Sequence, residues 1–322
     1  MCRLPLMPRF RFSNNRALRP ARRRAAALAA GWLLFATAPQ LFGARRVEGA
    51  GDAARGASVF AMAGGCGCHT GPDGPVGAGG GEVPTPFGKF YGTNITPDTE
   101  TGIGQWTDEQ LVAAIRDGWL PDGSAQSPAM PYYRYAGMAD ADVADLIAYL
   151  RALPPVRREN HPHEVTLPLP RLAYRAWRLL FVRSMDRPVA APDEKIARGR
   201  YLADHVAICG DCHTPRNRLG ASDDSRYLAG TRDGPDGVKV PNITPHKTGI
   251  EDWDTGDIVS VLKLGMLPDF DNVQGLMAEV VDGKAGGPGY KDAPPADLDA
   301  VAAYLKTIAP LDHDVTGKAG AD

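Results

Sequence analysis

The residue pattern with the clearest chemistry in this 322-residue chain is the run Cys209-Gly210-Asp211-Cys212-His213. A Cys-x-x-Cys-His run is the attachment signature of c-type haem. Residues three and four apart share one face of a helical turn, so the two thiols can bond the two vinyl groups while the histidine ligates the iron. A zinc site would need a second Cys/His pair at finger-like spacing, and a redox dithiol needs no adjoining histidine. The run therefore predicts covalently bound haem.

A second run, Cys66-Gly67-Cys68-His69, resembles the first but has one residue fewer between its thiols. Residues two apart point about 200° from one another on a helix, so both thiols can face one porphyrin edge only if the turn is distorted. We expect a second haem c here, with His69 as an iron ligand and a thioether at Cys68. Attachment through Cys66 as well stays open, because the glycines around it permit unusual backbone conformations.

An internal repeat relates the two runs. Gly56 and Gly199 each follow an arginine, and each is followed ten residues later by a cysteine, Cys66 or Cys209. Further matched segments are Asn94-Ile95-Thr96-Pro97 with Asn242-Ile243-Thr244-Pro245, Thr101-Gly102-Ile103 with Thr248-Gly249-Ile250, Trp106 with Trp253, and Ala148-Tyr149-Leu150 with Ala303-Tyr304-Leu305. The chain therefore contains two copies of one domain, and the second has an insertion of eight residues near its end.

The repeat also selects a sixth iron ligand in each half. Met130 lies 24 residues after Trp106, and Met277 lies 24 residues after Trp253, each ahead of the closing helix. A methionine taken alone is more often a packing residue than a ligand, but a matched position in both copies favours ligation. We assign packing roles to the other candidates, Met62, Met138 and Met266. Histidine and methionine together leave no open coordination site for oxygen or peroxide, which favours electron transfer over catalysis.

Comparing the two copies of the repeat also separates the matched asparagines from the unmatched histidines. Asn94 and Asn242 match, and two interpretations stay open: they hold loops near the haem edges by hydrogen bonds, or they are turn residues before proline. The remaining histidines have no counterparts and are assigned to surface or packing positions; they are His161, His163, His205, His246 and His313.

Several segments together carry a family resemblance. They are Cys-His-Thr-Pro-Arg-Asn at 212–217, Thr-Pro-Phe-Gly at 85–88, the two Asn-Ile-Thr-Pro segments, Pro128-Ala129-Met130-Pro131-Tyr132 and Met277-Ala278-Glu279-Val280-Val281. Over roughly residues 52–310 the chain resembles bacterial dihaem cytochromes c related to the cytochrome subunits of periplasmic alcohol and sugar dehydrogenases. The resemblance implies that His69, Met130, His213 and Met277 are the axial ligands. The shortened run at Cys66 departs from the family pattern.

The expected fold is all-α, with two tandem class I-like cytochrome c domains, haem-filled cores and long ordered loops. Composition agrees with this, because 43% hydrophobic and 23% charged residues are typical of a globular chain. The segments we expect are 1–51, an export signal or N-terminal membrane anchor; 52–154, the first domain; 155–192, a linker; 193–310, the second domain; and 311–322, a C-terminal tail.

The N-terminal segment is typical of an exported protein. It has ten arginines against one acidic residue, and eight of the arginines precede an apolar stretch from Ala25 to about Ala44. A basic region followed by an apolar core describes an export signal, and nearly 20 mostly apolar residues also suffice for an uncleaved anchor. We therefore expect a periplasmic protein, either soluble or anchored to the inner membrane.

Net charge constrains the partners. The whole chain carries −2, but residues 52–322 carry 26 basic against 37 acidic residues, a net charge of −11. An acidic field disfavours nucleic acid and favours partners with basic docking faces.

The linker contains a basic amphipathic stretch from Leu167 to Met185, in which apolar residues alternate with Arg171, Arg175 and Arg178 on one helical face. One interpretation is a helix that lies on an anionic membrane or docks on a partner. The other is a helix clamped between the two domains, with its arginines meeting acidic side chains or haem propionates.

These patterns favour an electron-transfer protein or subunit, not an enzyme. The expected donor is a periplasmic dehydrogenase, and the acceptor is an oxidase, a quinone-linked complex or another cytochrome. Two alternatives stay open: a dihaem peroxidase, which needs one iron with a vacant or exchangeable site, and a monohaem carrier or sensor with a modified first domain.

Overall fold

The computed structural model describes residues 49–165, 171–182 and 193–316. Nearly all of the predicted export signal or anchor, residues 1–51, lies outside these ranges, and so do parts of the linker and of the C-terminal tail. Within the described ranges, no helix combines the length and the apolar character needed to span a membrane.

The described chain is mostly helical, with short helices joined by long loops. Its α-helices are α1 (Ala53–Met62), α2 (Asp108–Val112), α3 (Tyr132–Tyr135), α4 (Asp140–Ala152), α5 (Arg171–Phe181), α6 (Glu194–Tyr201), α7 (Cys209–Cys212), α8 (Thr255–Leu264), α9 (Gly275–Asp282) and α10 (Pro295–Leu305). Helices α2 and α6 continue into wider π-type turns, Ala113–Asp117 and Leu202–Val206. Short 3₁₀ turns occupy Gly64–His69, Asp224–Arg226, Pro235–Gly237, Lys284–Gly286 and Tyr290–Asp292.

One small antiparallel sheet departs from the all-α expectation. Strand β1 (Glu82–Thr85) pairs with β2 (Gly88–Tyr91), and β2 pairs with β3 (Glu164–Val165), with Gly88 opposite Val165. Strands of four residues or fewer are too short to show a period-two pattern in the sequence. Strand β3 belongs to the segment that the sequence assigns to the linker, so this segment begins against the first half.

Local sequence sets the ends of the middle helices in the same way in both halves. Thr107 forms a capping box with Gln110 ahead of α2, and Asp254 forms one with Asp257 ahead of α8. In a capping box each side chain accepts a hydrogen bond from a backbone N–H that the helix leaves unpaired. Both segments end at a left-handed glycine, Gly118 (φ 64°) or Gly265 (φ 68°).

The first and last helices of each half cross closely at a glycine. A methyl group at Gly56 on α1 would overlap with the backbone carbonyl of Asp145 on α4. A methyl group at Gly199 on α6 would overlap in the same way with the carbonyl of Ala300 on α10. Because no larger residue fits, the repeated Arg-Gly pair of the sequence marks an equivalent helix crossing in both halves.

Buried apolar side chains from both halves form one continuous cluster, in which Phe60 and Leu202 are almost completely buried. Polar contacts join the halves at its edge. Tyr201 donates its hydroxyl to Asp142 Oδ2 at 2.6 Å and accepts the Ala139 N–H at 3.0 Å. The halves therefore pack on each other through a shared core as well as through hydrogen bonds.

Candidate metal centres

The second attachment run forms the helical turn that its spacing predicts. Helix α7 spans Cys209–Cys212, and the His213 N–H donates to the Cys209 carbonyl at 3.0 Å. Ile208, with φ 47° and ψ 43°, turns the chain into this helix. Cys209 is half-buried and Cys212 is exposed, and neither forms a disulfide with another described cysteine. The turn therefore presents two thiols and an imidazole at the spacing that haem attachment needs.

The shortened first run forms a distorted 3₁₀ turn, Gly64–His69. Three successive residues have positive φ: Gly64 (63°), Gly65 (65°) and Cys66 (47°). This conformation costs a residue with a side chain about 1–2 kcal/mol. The φ and ψ of Cys66, 47° and 44°, nearly equal those of Ile208. The turn is thus distorted from a regular helix, and the number of thioethers that it forms remains a prediction.

The two pairs of thiols have matching surroundings. Cys66 and Cys209 are half-buried against the apolar cluster, whereas Cys68 and Cys212 are exposed. Burial nevertheless raises the pKa of all four thiols, to about 12 for Cys66, Cys209 and Cys212. Each pair therefore has one sulfur against the apolar cluster and one that solvent reaches, so a large group can bond to it from the solvent side.

Each candidate axial histidine is oriented by a backbone carbonyl. His69 Nδ1 lies 2.7 Å from the Thr93 carbonyl oxygen, and His213 Nδ1 lies 2.9 Å from that of Pro241. A hydrogen bond from Nδ1–H to a carbonyl fixes the tautomer and leaves Nε2 as the free lone pair. Burial lowers the pKa of both imidazoles, which favours the neutral form that binds metal. The donor set therefore fits an iron ligated through Nε2 in each half.

The loops that supply these carbonyls are held by the repeated asparagines. Asn94 Nδ2 donates to Thr101 Oγ1 at 3.0 Å and to the Val156 carbonyl at 2.7 Å, and its Oδ1 accepts the Thr96 N–H at 3.0 Å. Asn242 makes the same three bonds to Thr248, Leu311 and Thr244, at 3.0, 2.8 and 2.8 Å. Both interpretations of these asparagines hold, because Nδ2 ties each loop to a distant segment and Oδ1 forms the turn bond to the N–H two residues on. The bonds also attach the segments after α4 and α10 to their own halves.

The two candidate methionine ligands lie at equivalent positions in different local structure. Met130 is half-buried on the segment just before α3, whereas Met277 is half-buried within α9. The sequence placed both on loops, and proline explains the difference. Pro131 disfavours a helical conformation at Met130, and α9 has no proline to exclude Met277. Met62 and Met138 are only 2% and 1% exposed, in agreement with packing roles.

Each attachment run contacts the methionine segment of the other half. Tyr133, three residues after Met130, donates its hydroxyl to Asp211 Oδ1 in the second run at 2.8 Å. Val280, three residues after Met277, lies against Gly64 in the first run. The repeat register relates Tyr133 to Val280, but one residue is polar and the other apolar. Because the residue types differ, comparing the two copies could not reveal this reciprocal packing.

A carboxylate lies inside the second attachment run. Asp211 pairs with Arg216, whose Nη2 lies 2.6 Å from Asp211 Oδ1. Burial by itself would raise the pKa of Asp211, but the positive charges of Arg216 and Arg134 outweigh burial and lower it. Arg216 also donates to the Tyr133 hydroxyl at 3.2 Å. A charged network that sequence reasoning missed therefore joins the two candidate centres.

Helix α5 lies on the hairpin that precedes Met130. Arg175 Nη2 donates to the Gly123 carbonyl at 2.9 Å, and the guanidinium groups of Arg175 and Arg178 lie 5.3 and 5.4 Å from the Trp119 ring centroid. Trp177 Nε1 donates to the carbonyl of Leu219 in the second half at 2.8 Å. The helix is thus held against both halves. The contacts that the structure gives these two arginines are with aromatic rings and backbone carbonyls.

Comparison with known proteins agrees with the geometry of these centres. A family model described as cytochrome c matches residues 53–154. The chain is 42% identical over 270 residues to a protein named diheme cytochrome c-type from Cereibacter sphaeroides, which covers 80% of this chain and 86% of that protein.

Two further relatives are subunits of dehydrogenases. The cytochrome c subunit of alcohol dehydrogenase (quinone) from Gluconobacter oxydans is 36% identical over 299 residues, 86% of this chain and 60% of the subunit. The fructose dehydrogenase cytochrome subunit from Gluconobacter japonicus is 38% identical over 250 residues, 75% of this chain and 49% of the subunit. The chain thus spans 60% and about half of the lengths of these two proteins. From the matched motifs, the identity and the coverage together, this chain belongs to the cytochrome c family.

Proposed function

We propose that the chain is a dihaem c-type cytochrome that carries electrons from a dehydrogenase towards a respiratory acceptor and catalyses no reaction of its own. One observation carries the proposal. In both halves, Nδ1 of a histidine next to a thiol pair lies within hydrogen-bond distance of a backbone carbonyl oxygen, at 2.7 Å for His69 and 2.9 Å for His213. This arrangement prepares two equivalent iron ligands in one chain.

The chain's own residues divide the work of holding two haems. Cys209 and Cys212 would hold the second haem by thioethers, and Cys68, with or without Cys66, would hold the first. His69 with Met130, and His213 with Met277, would supply the axial ligands. The bound iron supplies a one-electron ferric/ferrous couple. The protein fixes the imidazole orientation and surrounds the site with apolar side chains, which favours transfer without ligand exchange.

The partners are inferred from the relatives, and the location is inferred from the N-terminal segment. Relatives of this chain include proteins named as cytochrome subunits of alcohol, fructose and gluconate dehydrogenases. A dehydrogenase is therefore the proposed donor, and an oxidase, a quinone-linked complex or another cytochrome the proposed acceptor. The arginine-rich N-terminal segment supports a periplasmic location, in soluble or membrane-anchored form.

Two other functions have weaker support. A dihaem peroxidase needs an iron with a vacant or exchangeable position, and the matched methionines argue against one. A monohaem carrier or sensor is favoured by one observation, the shortened spacing of Cys66 and Cys68 in the first run.

Haem content distinguishes these functions. Mass spectrometry of the mature chain should show two covalent haems, and the reduced and oxidised spectra should show low-spin iron at both. One haem per chain would support the monohaem alternative. A high-spin iron in the resting protein that binds cyanide rapidly would support the peroxidase.

The donor is tested by reduction. The oxidised protein is mixed anaerobically with a membrane fraction of the source organism, and an alcohol, fructose and gluconate are added in separate experiments. One substrate class should reduce both haems, as followed at the α-band. If none of them reduces a protein that dithionite reduces fully, the proposed dehydrogenase donor is wrong for these substrates.

A further inference from the structure

The same hairpin precedes the candidate methionine in both halves. In the first half the Leu120 N–H donates to the Ser124 carbonyl at 3.0 Å, and the Gly123 N–H donates to the Leu120 carbonyl at 2.9 Å. The second half repeats both bonds exactly 147 residues later, at 2.8 and 2.9 Å. The two hairpins therefore have the same backbone hydrogen bonds but different side chains. We attribute the differences in side chains to differences in what packs against each hairpin.

The residue at the left-handed position of the hairpin differs most. The first half has Gly123 with φ 73°, and the second has Phe270 with φ 67°. Glycine is the usual residue at such a position because it has no Cβ to strain the backbone. Phe270 is also 83% exposed. Phe270 therefore adds strain to the folded backbone and buries little apolar surface in return. The stability of the fold does not explain an aromatic residue at this position.

Two further apolar side chains are exposed on the helices that this hairpin connects. Leu264, which ends α8, is 64% exposed, and Leu276, at the start of α9, is 37% exposed. Isolated exposed leucines are ordinary, but these two lie at the ends of the helices that the hairpin of Phe270 connects. We name these three side chains, Leu264, Phe270 and Leu276, the Phe270 surface.

The first half shows what kind of group covers this hairpin. Helix α5 lies on it, with Arg175 donating to the Gly123 carbonyl and with Arg175 and Arg178 over the Trp119 ring. The cover is thus an amphipathic helix that contacts the hairpin through its arginines. Because the two halves are repeats, we expect a segment that binds the second hairpin to carry basic residues as well.

Charge on the second hairpin agrees with such a cover. Asp269 and Asp271 flank Phe270 directly, and both are exposed. The first half has Asp122 and Ser124 at these positions, so the second hairpin has one more carboxylate. Carboxylates around an apolar centre are complementary to a partner with lysine or arginine around an apolar residue.

We propose that the Phe270 surface is where the donor dehydrogenase docks, through a segment that combines an apolar side chain with arginine or lysine. The proposal rests on the proposed function for the nature of this partner. Leu276 is the residue before Met277, so a partner seated here lies next to the candidate ligand of the second half. Electrons from the dehydrogenase enter at the second half.

The test uses Phe270→Gly, which installs the residue that the first half has at this position. Because glycine suits the left-handed conformation, the melting temperature should stay the same or rise by about 2 °C. Reduction by the dehydrogenase that reduces the wild-type protein should become about tenfold slower at subsaturating concentration, as expected when an aromatic anchor is lost. Reduction by ascorbate, a small reductant that needs no docking, should be unchanged. A matched control is Val238→Ser, which removes an apolar side chain 49% exposed in the same half and should change neither rate.

The outcomes separate this proposal from the proposed function. If no dehydrogenase reduces the wild-type protein, the proposed function fails before any variant is compared. If the wild type is reduced and Phe270→Gly is reduced within twofold of the same rate, the docking surface is wrong and the function stands. A photo-crosslinking residue at position 270 gives a second measurement, since it should couple to the dehydrogenase, whereas the same residue at position 238 should not. Crosslinking from position 270 to a second copy of this chain instead would overturn the proposal in favour of self-association.

Discussion

Tyr133 of the first half donates its hydroxyl to Asp211, which lies between the two cysteines of the second attachment run, at 2.8 Å. The two residues are 78 positions apart in the chain. Tyr133 follows the candidate ligand Met130 by three residues, so this hydrogen bond connects the ligand segment of one centre with the attachment segment of the other.

Removing this bond should destabilise the packing of the halves. Tyr133→Phe leaves the partly buried carboxylate of Asp211 with one neutral donor fewer, and a hydrogen bond to a charged group contributes about 1.5–3 kcal/mol. Urea unfolding of the holoprotein should show a loss of about that size. The control is Tyr91→Phe, which removes a hydroxyl that bonds to Glu164 at an exposed site and should have little effect. Equal stability of the Tyr133→Phe protein and the wild type would show that Arg216 alone satisfies Asp211.

Removing the candidate methionines should change the spin state of one haem at a time. Met277→Ala should make the second haem high spin, because its iron then binds water or no sixth ligand. Met130→Ala should do the same in the first half, whereas Met138→Leu, at a fully buried packing position, should leave the spectrum nearly unchanged. Visible and electron paramagnetic resonance spectra measure this. A larger spectral change for Met138→Leu than for Met130→Ala would refute the repeat register from which the ligands were assigned.

The shortened run should attach its haem through Cys68 alone. One vinyl group then stays conjugated with the porphyrin, so the reduced α-band of the first haem should lie at longer wavelength than that of the second. Cys66→Ala should keep haem content and spectrum, and Cys68→Ala should lose covalent attachment. Tryptic mapping decides directly, since a haem peptide around His69 with thioethers at both Cys66 and Cys68 would show that the left-handed turn brings both sulfurs to the vinyl groups.

Acid should weaken the contact between α1 and α4. The hydrogen bond from Arg55 is the main reason that the pKa of Asp145 lies below its usual range, although burial opposes it. Since the folded-state pKa is depressed, the contribution to stability is present above the unfolded pKa and is lost as pH falls through the folded pKa. Asp145→Asn should therefore be less stable than the wild type at pH 7, and the difference should shrink from about pH 5 downwards.

Denaturation by urea at pH 7 and pH 3 measures this difference. Glu100→Gln is the control, because Glu100 forms an exposed ion pair with Arg157 and should change stability little at either pH. A difference between Asp145→Asn and the wild type that is the same at both pH values would show that hydrogen-bond geometry, not charge, makes Asp145 stabilising.

Much of the candidate site follows from short-range patterns. The helical turn of α7 is dictated by the spacing of Cys209, Cys212 and His213, because three- and four-residue separations share a helical face. The local structure around the two methionines also follows from the sequence. Pro131 explains why Met130 precedes a helix, and the absence of proline explains why Met277 lies in one. The strands of the small sheet were too short to show a pattern.

The sequence by itself determined which residues are the candidates for haem attachment and ligation, since attachment runs, paired methionines and the internal repeat are all read from residue type and spacing. Tertiary structure alone decided what surrounds them: the carbonyls of Thr93 and Pro241 that orient the histidines, the Tyr133 bond to Asp211, and the exposure of Phe270. These contacts join residues 24 to 78 positions apart. Such separations have no fixed spacing rule, because they are set by how the helices and loops pack and not by the geometry of any one element.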